Sequence, residues 1–180
     1  SVDFRDFQQA DIYAPGANAW IDPNGQRRPI ARRNGQVVLW WDDFDRMEQV
    51  LGPGGQFQSF EAVFGPRGAD GRPRPLWNRM TGVIDPATAM AWEPYDIRLV
   101  LERNWETLGP KLKGKLHVFM GEVDTFYLTG ATRLLKSSLE QLGSDAVVEI
   151  HAGKDHGSLM SQELRDRLRR EISERYLEIQ

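Results

Sequence analysis

Apolar and polar positions alternate most regularly between residues 115 and 156, where they predict a strand, a helix and a second strand. The apolar run at residues 116–120 is short, which favours a buried strand. Apolar residues then recur at three- and four-residue spacing between positions 126 and 142, as in an amphipathic helix, and Gly143 follows them. Residues 146–151 form the second apolar run. This order predicts a parallel β-α-β unit, and therefore an α/β fold class.

A carboxylate and an imidazole follow the two predicted strands. Asp124 comes just after the first strand and His156 just after the second. Because the carboxyl ends of parallel strands meet at one sheet edge, we expect the two side chains to be neighbours. An imidazole can take a proton from a hydroxyl nucleophile, and a bound carboxylate fixes its tautomer and stabilises its charged form. Asp124 and His156 are therefore candidate catalytic residues.

Upstream of this unit, the pattern predicts helices separated by turn-rich segments. Residues 1–35 contain so many turn formers that we expect a long connection. The apolar spacing of residues 37–51 predicts a first helix, and residues 57–64 predict a second. Residues 65–76 are rich in Gly and Pro, which excludes a regular core element there.

Three further helices have recognisable starts. Asp85 followed by Pro86 is a signal for a cap and a first turn. Asp96 caps a longer helix, which Gly109-Pro110 is expected to end. The last helix begins at Ser161, and its apolar residues recur every fourth position: Leu164, Leu168, Ile172 and Tyr176. We expect this face to pack on the sheet.

The chain divides into a loop-rich and helical, lid-like region at residues 1–93 and a β-α-β-α unit at residues 94–180. No flexible linker separates them, so one compact body is expected. The lid-like region is aromatic, with several phenylalanines and with tryptophans at Trp20, Trp40, Trp41, Trp77 and Trp92. These side chains could line a substrate pocket, although ordinary core packing explains them more simply.

Composition excludes several classes of function. The net charge of −3 argues against general binding to nucleic acid or to membrane surfaces. No apolar run approaches the eighteen or so residues of a membrane-spanning helix. The absence of cysteine excludes disulfides and thiolate metal sites, but it is compatible with both cytoplasmic and secreted proteins. The compartment is therefore left open.

Two motifs at the ends of the predicted strands resemble a known family. Gly-Glu-Val-Asp-Thr-Phe-Tyr-Leu at residues 121–128 and Gly-Lys-Asp-His-Gly at residues 153–157 resemble the last third of the α/β-hydrolase fold, in particular bacterial esterases of the esterase D and enterochelin-esterase kind. Residues 2–8, 63–68 and 99–105 also resemble segments of a large-lidded branch of these esterases. The resemblance covers nearly the whole chain.

The resemblance implies a serine carboxylic-ester hydrolase in which Asp124 and His156 are the acid and the histidine of a Ser-His-Asp triad. Such an enzyme acts on an acyl-ester substrate through an acyl-enzyme intermediate, without a metal or an organic cofactor. The nucleophile of the family lies in a Gly-x-Ser-x-Gly elbow that precedes the acid and the histidine. This sequence contains no such motif. We therefore expect a C-terminal portion of an esterase that is inactive alone and that self-associates or binds a complementing N-terminal segment.

Other polar residues have simpler explanations. Asp155 and Glu122 fit turn-forming or solvent-facing roles, and His117 and His151 fit structural or exposed positions in the strands. Four serines lie within or beside predicted helices and lack elbow glycines on both sides: Ser59, Ser137, Ser138 and Ser144. Ser158 follows the histidine in the chain, which favours a turn or helix-entry role. A different class of function also stays open, namely a non-catalytic interaction or assembly module derived from a hydrolase. A metal site has no supporting spacing.

Overall fold

The computed structural model describes residues 1–178 and the side chains of residues 1–177. This part of the chain is mixed helix and strand. In chain order the elements are β1 (Pro29–Arg33), β2 (Gln36–Trp40), α1 (Trp41–Leu51), α2 (Gln56–Phe64), α3 (Pro86–Trp92), α4 (Ile97–Leu112), β3 (His117–Gly121), α5 (Thr129–Gln141), β4 (Val147–His151) and α6 (Gln162–Glu178). None of the helices described is long and apolar enough to cross a bilayer.

The parallel β-α-β unit predicted from the sequence is confirmed. Strands β3 and β4 pair in parallel, with His117 opposite Val147 and Gly121 opposite His151. Helix α5 connects them and ends before Gly143, which has a φ of +66°. A positive φ is easy only for a residue without a Cβ, so glycine suits the turn that leads into β4.

The predicted connection is confirmed for residues 1–28, which hold no α-helix or strand, but it is wrong for residues 29–35, and the predicted helix start at residue 37 is also wrong. Strands β1 and β2 form an antiparallel hairpin there, and helix α1 begins only at Trp41. Asn34 and Gly35, at the turn, have φ values of 51° and 77°. Asn-Gly is the favoured pair for a two-residue hairpin turn with two positive φ angles, and β-branched residues follow it in β2. These local preferences outweigh the helical spacing of the apolar residues.

Helix α1 buries acidic residues on its inner side rather than the apolar face that the spacing suggested. Val50 and Leu51 are largely exposed, whereas Asp45 and Glu48 are almost fully buried. Arg79 compensates the first carboxylate with a contact of 2.7 Å to Asp45 Oδ1. Both carboxylate oxygens of Glu48 lie 3.1 Å from the backbone N–H of Phe57, at the start of α2. Satisfied hydrogen bonds and an opposite charge make the burial of these carboxylates possible.

The caps of the central helices agree with the sequence, but the end of α4 does not. The side chains of Asp85 and Asp96 accept hydrogen bonds from the first turns of α3 and α4, as predicted. Helix α4 continues past Gly109 to Leu112, with Pro110 inside it and a kink at Asn104. Several apolar side chains of its second half pack on the core beneath the parallel sheet: Trp105, Leu108 and Leu112. This packing holds the last turn in place despite the hydrogen bond that a proline removes.

The expected packing of α6 on the sheet holds only for its first half. Leu164 is buried, whereas Ile172 and Tyr176 are 68% and 63% exposed. Arg167 anchors the helix, because its guanidinium contacts both carboxylate oxygens of Glu149 on β4. The helix still reaches β3 at Glu171, which lies 3.6 Å from His117, but the apolar residues of its later turns face solvent.

Two hydrophobic clusters form the interior. The larger one is aromatic, and its fully buried rings are Trp41, Trp77, Trp92, Phe4, Phe7 and Phe57. The smaller one lies between α4, α5 and the parallel sheet and contains Leu101, Leu135, Leu139 and Val148. Three of the five tryptophans of the lid-like region therefore serve core packing.

Buried polar contacts join the N-terminal segment to α4. The carboxylate of Asp96 accepts hydrogen bonds from the backbone N–H of Phe4 and from the hydroxyl of Tyr13, each at 3.0 Å. Burial and the nearby Asp96 charge raise the pKa of Tyr13, so its hydroxyl stays protonated and donates. Arg98 lies 3.4 Å from Asp3 in the same region. Residues before and after position 93 thus share a buried hydrogen-bond network.

Candidate functional site

Asp124 and His156 meet at the carboxyl ends of β3 and β4. Nδ1 of His156 lies 2.8 Å from Oδ2 of Asp124. The close approach of the two loops depends on Gly121, since a Cβ there would clash with the backbone carbonyl of Lys154. The backbone N–H of Val123 also donates to that carbonyl at 3.0 Å. The neighbouring positions predicted from the sequence are confirmed, whereas the catalytic role stays a prediction.

The carboxylate of Asp124 is held in one orientation. Its Oδ1 accepts hydrogen bonds from the backbone N–H groups of Phe126 at 2.9 Å and Leu128 at 3.2 Å. The side chain is only 1% exposed. Arg32 of β1 donates from Nε to the backbone carbonyl of Asp124 at 3.0 Å and stacks over the ring of Tyr127. Strand β1 therefore braces the loop that carries the acid.

The imidazole of His156 is more open than its partner. Its side chain is 53% exposed, and the ring of Phe126 packs edge-on at a centroid distance of 5.0 Å. An ionised carboxylate can only accept hydrogen bonds, so Nδ1 carries the hydrogen when the imidazole is neutral. Nε2 is then a free base, and no hydrogen bond to it occurs within the described part of the chain.

A pocket of about 230 Å³ borders His156. Its walls are mostly apolar and come from both regions of the chain: Ile30, Leu39, Phe44, Phe57, Phe60 and Phe126. Gln8 also borders it and is 8% exposed, while Gln56 borders it from an exposed position. Of the aromatic residues that the sequence suggested for a pocket, all of which lie in the described part of the chain, phenylalanines line the pocket beside His156, and none of the tryptophans does so.

The remaining polar candidates lie in structural positions. Asp155 and Ser158 bond to each other in the turn around His156, and the Ser158 hydroxyl lies 2.7 Å from the Asp155 carboxylate. This hydrogen bond is the main reason why the pKa of Asp155 is held below its usual value. Glu122 accepts from the backbone N–H of Gly153 at 3.0 Å and so ties the two loops together.

The other two histidines lie beside glutamates. His117 is 3.6 Å from Glu171 of α6, and His151 is 3.4 Å from Glu149. Within the part of the chain that the structure describes, no group of three or more His, Asp or Glu side chains is arranged to hold a metal ion. The described polar residues that border the pocket are therefore Gln8, Gln56, His156 and Ser1, and the hydroxyl of Ser1 donates to the backbone carbonyls of Asp3 and Asp6.

Sequence reasoning missed Gln8 and Arg32. Arg32 belongs to β1, and the Asn34-Gly35 turn was the signal that could have placed it in a hairpin. Gln8 lies in a segment with no periodic pattern, so no comparable signal existed. Its position beside the pocket follows only from the folded chain.

The chain matches no known family model, and neither curated proteins nor solved structures gave a match.

Proposed function

We propose that this chain supplies the acid and the base of a serine carboxylic-ester hydrolase and forms the C-terminal part of an α/β-hydrolase fold. The observation that carries the proposal is the 2.8 Å contact between Asp124 and His156, with Nε2 left free beside an apolar pocket. The motifs at the ends of β3 and β4, which resemble esterases, support the same assignment.

In the proposed reaction, Nε2 of His156 takes the proton of a serine hydroxyl as that oxygen attacks the carbonyl carbon of an ester. The protonated imidazole then gives its proton to the leaving alcohol, and an acyl-enzyme remains. Water attacks the acyl group with Nε2 again as the base, which releases the carboxylic acid and restores the serine. Asp124 stays ionised throughout and stabilises the imidazolium.

The nucleophile and the oxyanion donors belong to another segment in this proposal. No serine in the described part of the chain is hydrogen-bonded to His156, and Ser158 is engaged with Asp155. The family order places the elbow serine before the acid and the histidine. An upstream or separate segment would therefore complete the site.

Joining the chain to the in-frame coding sequence upstream of Ser1 tests the proposal, if that sequence encodes a Gly-x-Ser-x-Gly elbow. The joined protein should hydrolyse p-nitrophenyl acetate with saturation kinetics. His156→Ala and Asp124→Ala should each lower kcat by about a thousandfold or more, since triad members act as a unit. Asp155→Asn, which removes a neighbouring charge but keeps an acceptor for the turn around His156, is the matched control and should retain activity. If the joined protein is folded and its kcat is the same with and without the Asp124 and His156 side chains, the proposal is wrong.

The second candidate is a non-catalytic interaction or assembly module. Exposed apolar residues on the last turns of α6 favour it, because Ile172, Tyr176 and Leu177 are each more than 60% exposed. A two-stranded parallel sheet also leaves strand edges that a second chain could pair with. Under this alternative the chain self-associates, and Ile172→Asp should shift light scattering from an assembly to a monomer. A start codon and a ribosome-binding site directly before the codon of Ser1 would favour this module over the esterase.

A further inference from the structure

Gln8 is the one polar side chain beside the pocket that is both buried and without a hydrogen-bond partner in the described part of the chain. It is 8% exposed, and its Oε1 is buried without a donor. A buried amide oxygen that lacks a donor costs free energy relative to one that is hydrogen-bonded. Gln8 thus holds an unpaired acceptor in a side chain that borders the same pocket as His156, although in the present rotamer Oε1 itself is buried.

The backbone at Gln8 is in a conformation that glutamine adopts only at a cost. Phe7 and Ala10 exchange backbone hydrogen bonds, so Gln8 and Gln9 form a two-residue turn with φ values of 52° and 70°. Turns of this kind prefer Asn-Gly, which the chain uses at Asn34-Gly35. Glutamine at a positive φ costs on the order of 1 kcal/mol. Strained positions of this sort cluster at binding sites.

Local hydrogen bonds account for Gln9 but not for Gln8. The side chain of Gln9 donates from Nε2 to the backbone carbonyl of Pro29 at 2.9 Å, and its backbone N–H donates to Asp6. These contacts fix the turn against β1. The side chain of Gln8 has no comparable contact, although it borders the pocket. Its amide is therefore available to a group inside the pocket, after a rotation about its soft terminal torsion.

The size and lining of the pocket limit what that group can be. A cavity of roughly 150 Å³ lined by Leu, Ile and Phe accepts a benzene ring. The pocket beside His156, at about 230 Å³, has room for one six-membered ring and a few further atoms. Among the described residues that border it, His156 has the one ionisable side chain, and in the proposed reaction its Nε2 must be neutral to act as a base. A charged group would therefore lose its hydration without gaining a permanent ionic partner.

We propose that this pocket is a subsite for a neutral, compact and mainly apolar substrate group that carries one hydroxyl or N–H, and that Oε1 of Gln8 accepts its hydrogen bond. The proposal rests on the proposed function, because it assigns the pocket to the substrate on which His156 acts. Gln8 is then a specificity-determining residue. It selects for a donor, since a buried acceptor left unpaired penalises the analogue that lacks one.

The binding of two small probe molecules to the chain tests the proposed role of Gln8 and does not require hydrolysis. The probes are benzyl alcohol and benzyl methyl ether, which share a ring and an oxygen but differ in the O–H donor. Their titration is followed by NMR at the His156 ring and at the side-chain amide of Gln8. We expect the alcohol to bind roughly three- to tenfold more tightly than the ether, which is the range of one hydrogen bond. Only the alcohol should shift the Gln8 amide resonance strongly.

Gln8→Met keeps the length of the side chain and removes the acceptor, so it should abolish the preference for the alcohol. Gln56→Met, at the exposed rim of the same pocket, is the matched control and should preserve it. A preference that survives Gln8→Met overturns the proposal, as does equal affinity for the two probes or no shift at His156 with either. The wild-type comparison decides the question even if Gln8→Met does not fold. Failure of the esterase proposal would appear separately, as hydrolysis that is independent of His156.

Discussion

Asp124 divides its two carboxylate oxygens between different partners, and His156 receives only one of them. Oδ2 lies 2.8 Å from Nδ1 of His156, whereas Oδ1 accepts the backbone N–H groups of Phe126 and Leu128. The backbone of the loop at residues 122–128, here called the acid loop, therefore fixes which oxygen of Asp124 faces the histidine. This arrangement sets the tautomer of the imidazole, because an acceptor at Oδ2 requires a donor at Nδ1.

The first prediction is that Asp124→Asn reverses the tautomer of His156. The amide oxygen of the asparagine should take the place of Oδ1, because the backbone N–H groups of Phe126 and Leu128 donate to that position. The amide nitrogen then faces the histidine. Nδ1 must then accept and the hydrogen moves to Nε2, which no longer serves as a base. Nitrogen NMR of the neutral imidazole measures the change. Asp155→Asn is the control and should leave the tautomer unaltered, and an unchanged tautomer in Asp124→Asn would refute the assigned contact.

The second prediction concerns the chain by itself. Under the proposed function, the chain supplies only a base and its orienting acid. It should therefore hydrolyse short p-nitrophenyl esters no faster than the His156→Ala variant and without saturation. Steady-state assays of the two proteins side by side provide the measurement. Saturable turnover that is lost in both Asp124→Ala and His156→Ala would instead mean that a serine of this chain is the nucleophile.

The sequence predicted the Asp124-His156 contact because local pattern and a general topological rule were sufficient for it. Two apolar runs with a helix between them imply parallel strands, and each residue follows one strand end. The starts of α3 and α4 were predictable for a similar reason, since the caps Asp85 and Asp96 accept hydrogen bonds from residues in the first turn that follows them. Apolar runs and capping residues act over short stretches of chain, so the elements that they define could be predicted from the sequence.

The pocket could not be predicted in the same way, because its walls come from distant parts of the chain. Ile30 and Leu39 belong to the hairpin, Phe57 to α2 and Phe126 to the acid loop. No sequence spacing links these positions. The burial of Asp45 could not be predicted for the same reason, since its partner Arg79 lies 34 residues away in the chain. Apolar spacing alone therefore assigned the wrong face of α1 to the interior.

The third prediction tests the network that joins the N-terminal segment to α4. Asp96→Ala removes the acceptor of Phe4 N–H, Leu99 N–H and the Tyr13 hydroxyl in a fully buried position. Leaving such donors unpaired should lower the free energy of unfolding by about 3–5 kcal/mol. Urea denaturation measures the loss. Asp85→Ala, a cap that is one-third exposed, should cost only about 1 kcal/mol, and equal losses in the two variants would contradict the proposed role of Asp96.

The last prediction is that two aspartates make opposite contributions to the pH dependence of stability. Burial raises the pKa of Asp6 above its usual value of 3.8, although the hydrogen bond from Gln9 opposes this. The folded state thus holds the Asp6 proton more tightly than the unfolded state does. Its stabilising contribution is complete below pH 3.8 and is lost as the pH rises through the folded-state pKa.

Asp22 behaves in the opposite sense, because the backbone N–H of Gln26 is the main cause that lowers the pKa of its carboxyl group. Its contribution is present above pH 3.8 and is lost as the pH falls through the folded-state pKa. Asparagine can accept the same backbone hydrogen bonds at both positions without titrating. As the pH rises from 3 to 7, Asp6→Asn should therefore gain stability relative to the wild-type chain, and Asp22→Asn should lose it. Urea unfolding across this range measures both slopes, and slopes of the same sign would show that the burial of Asp6 does not control its titration.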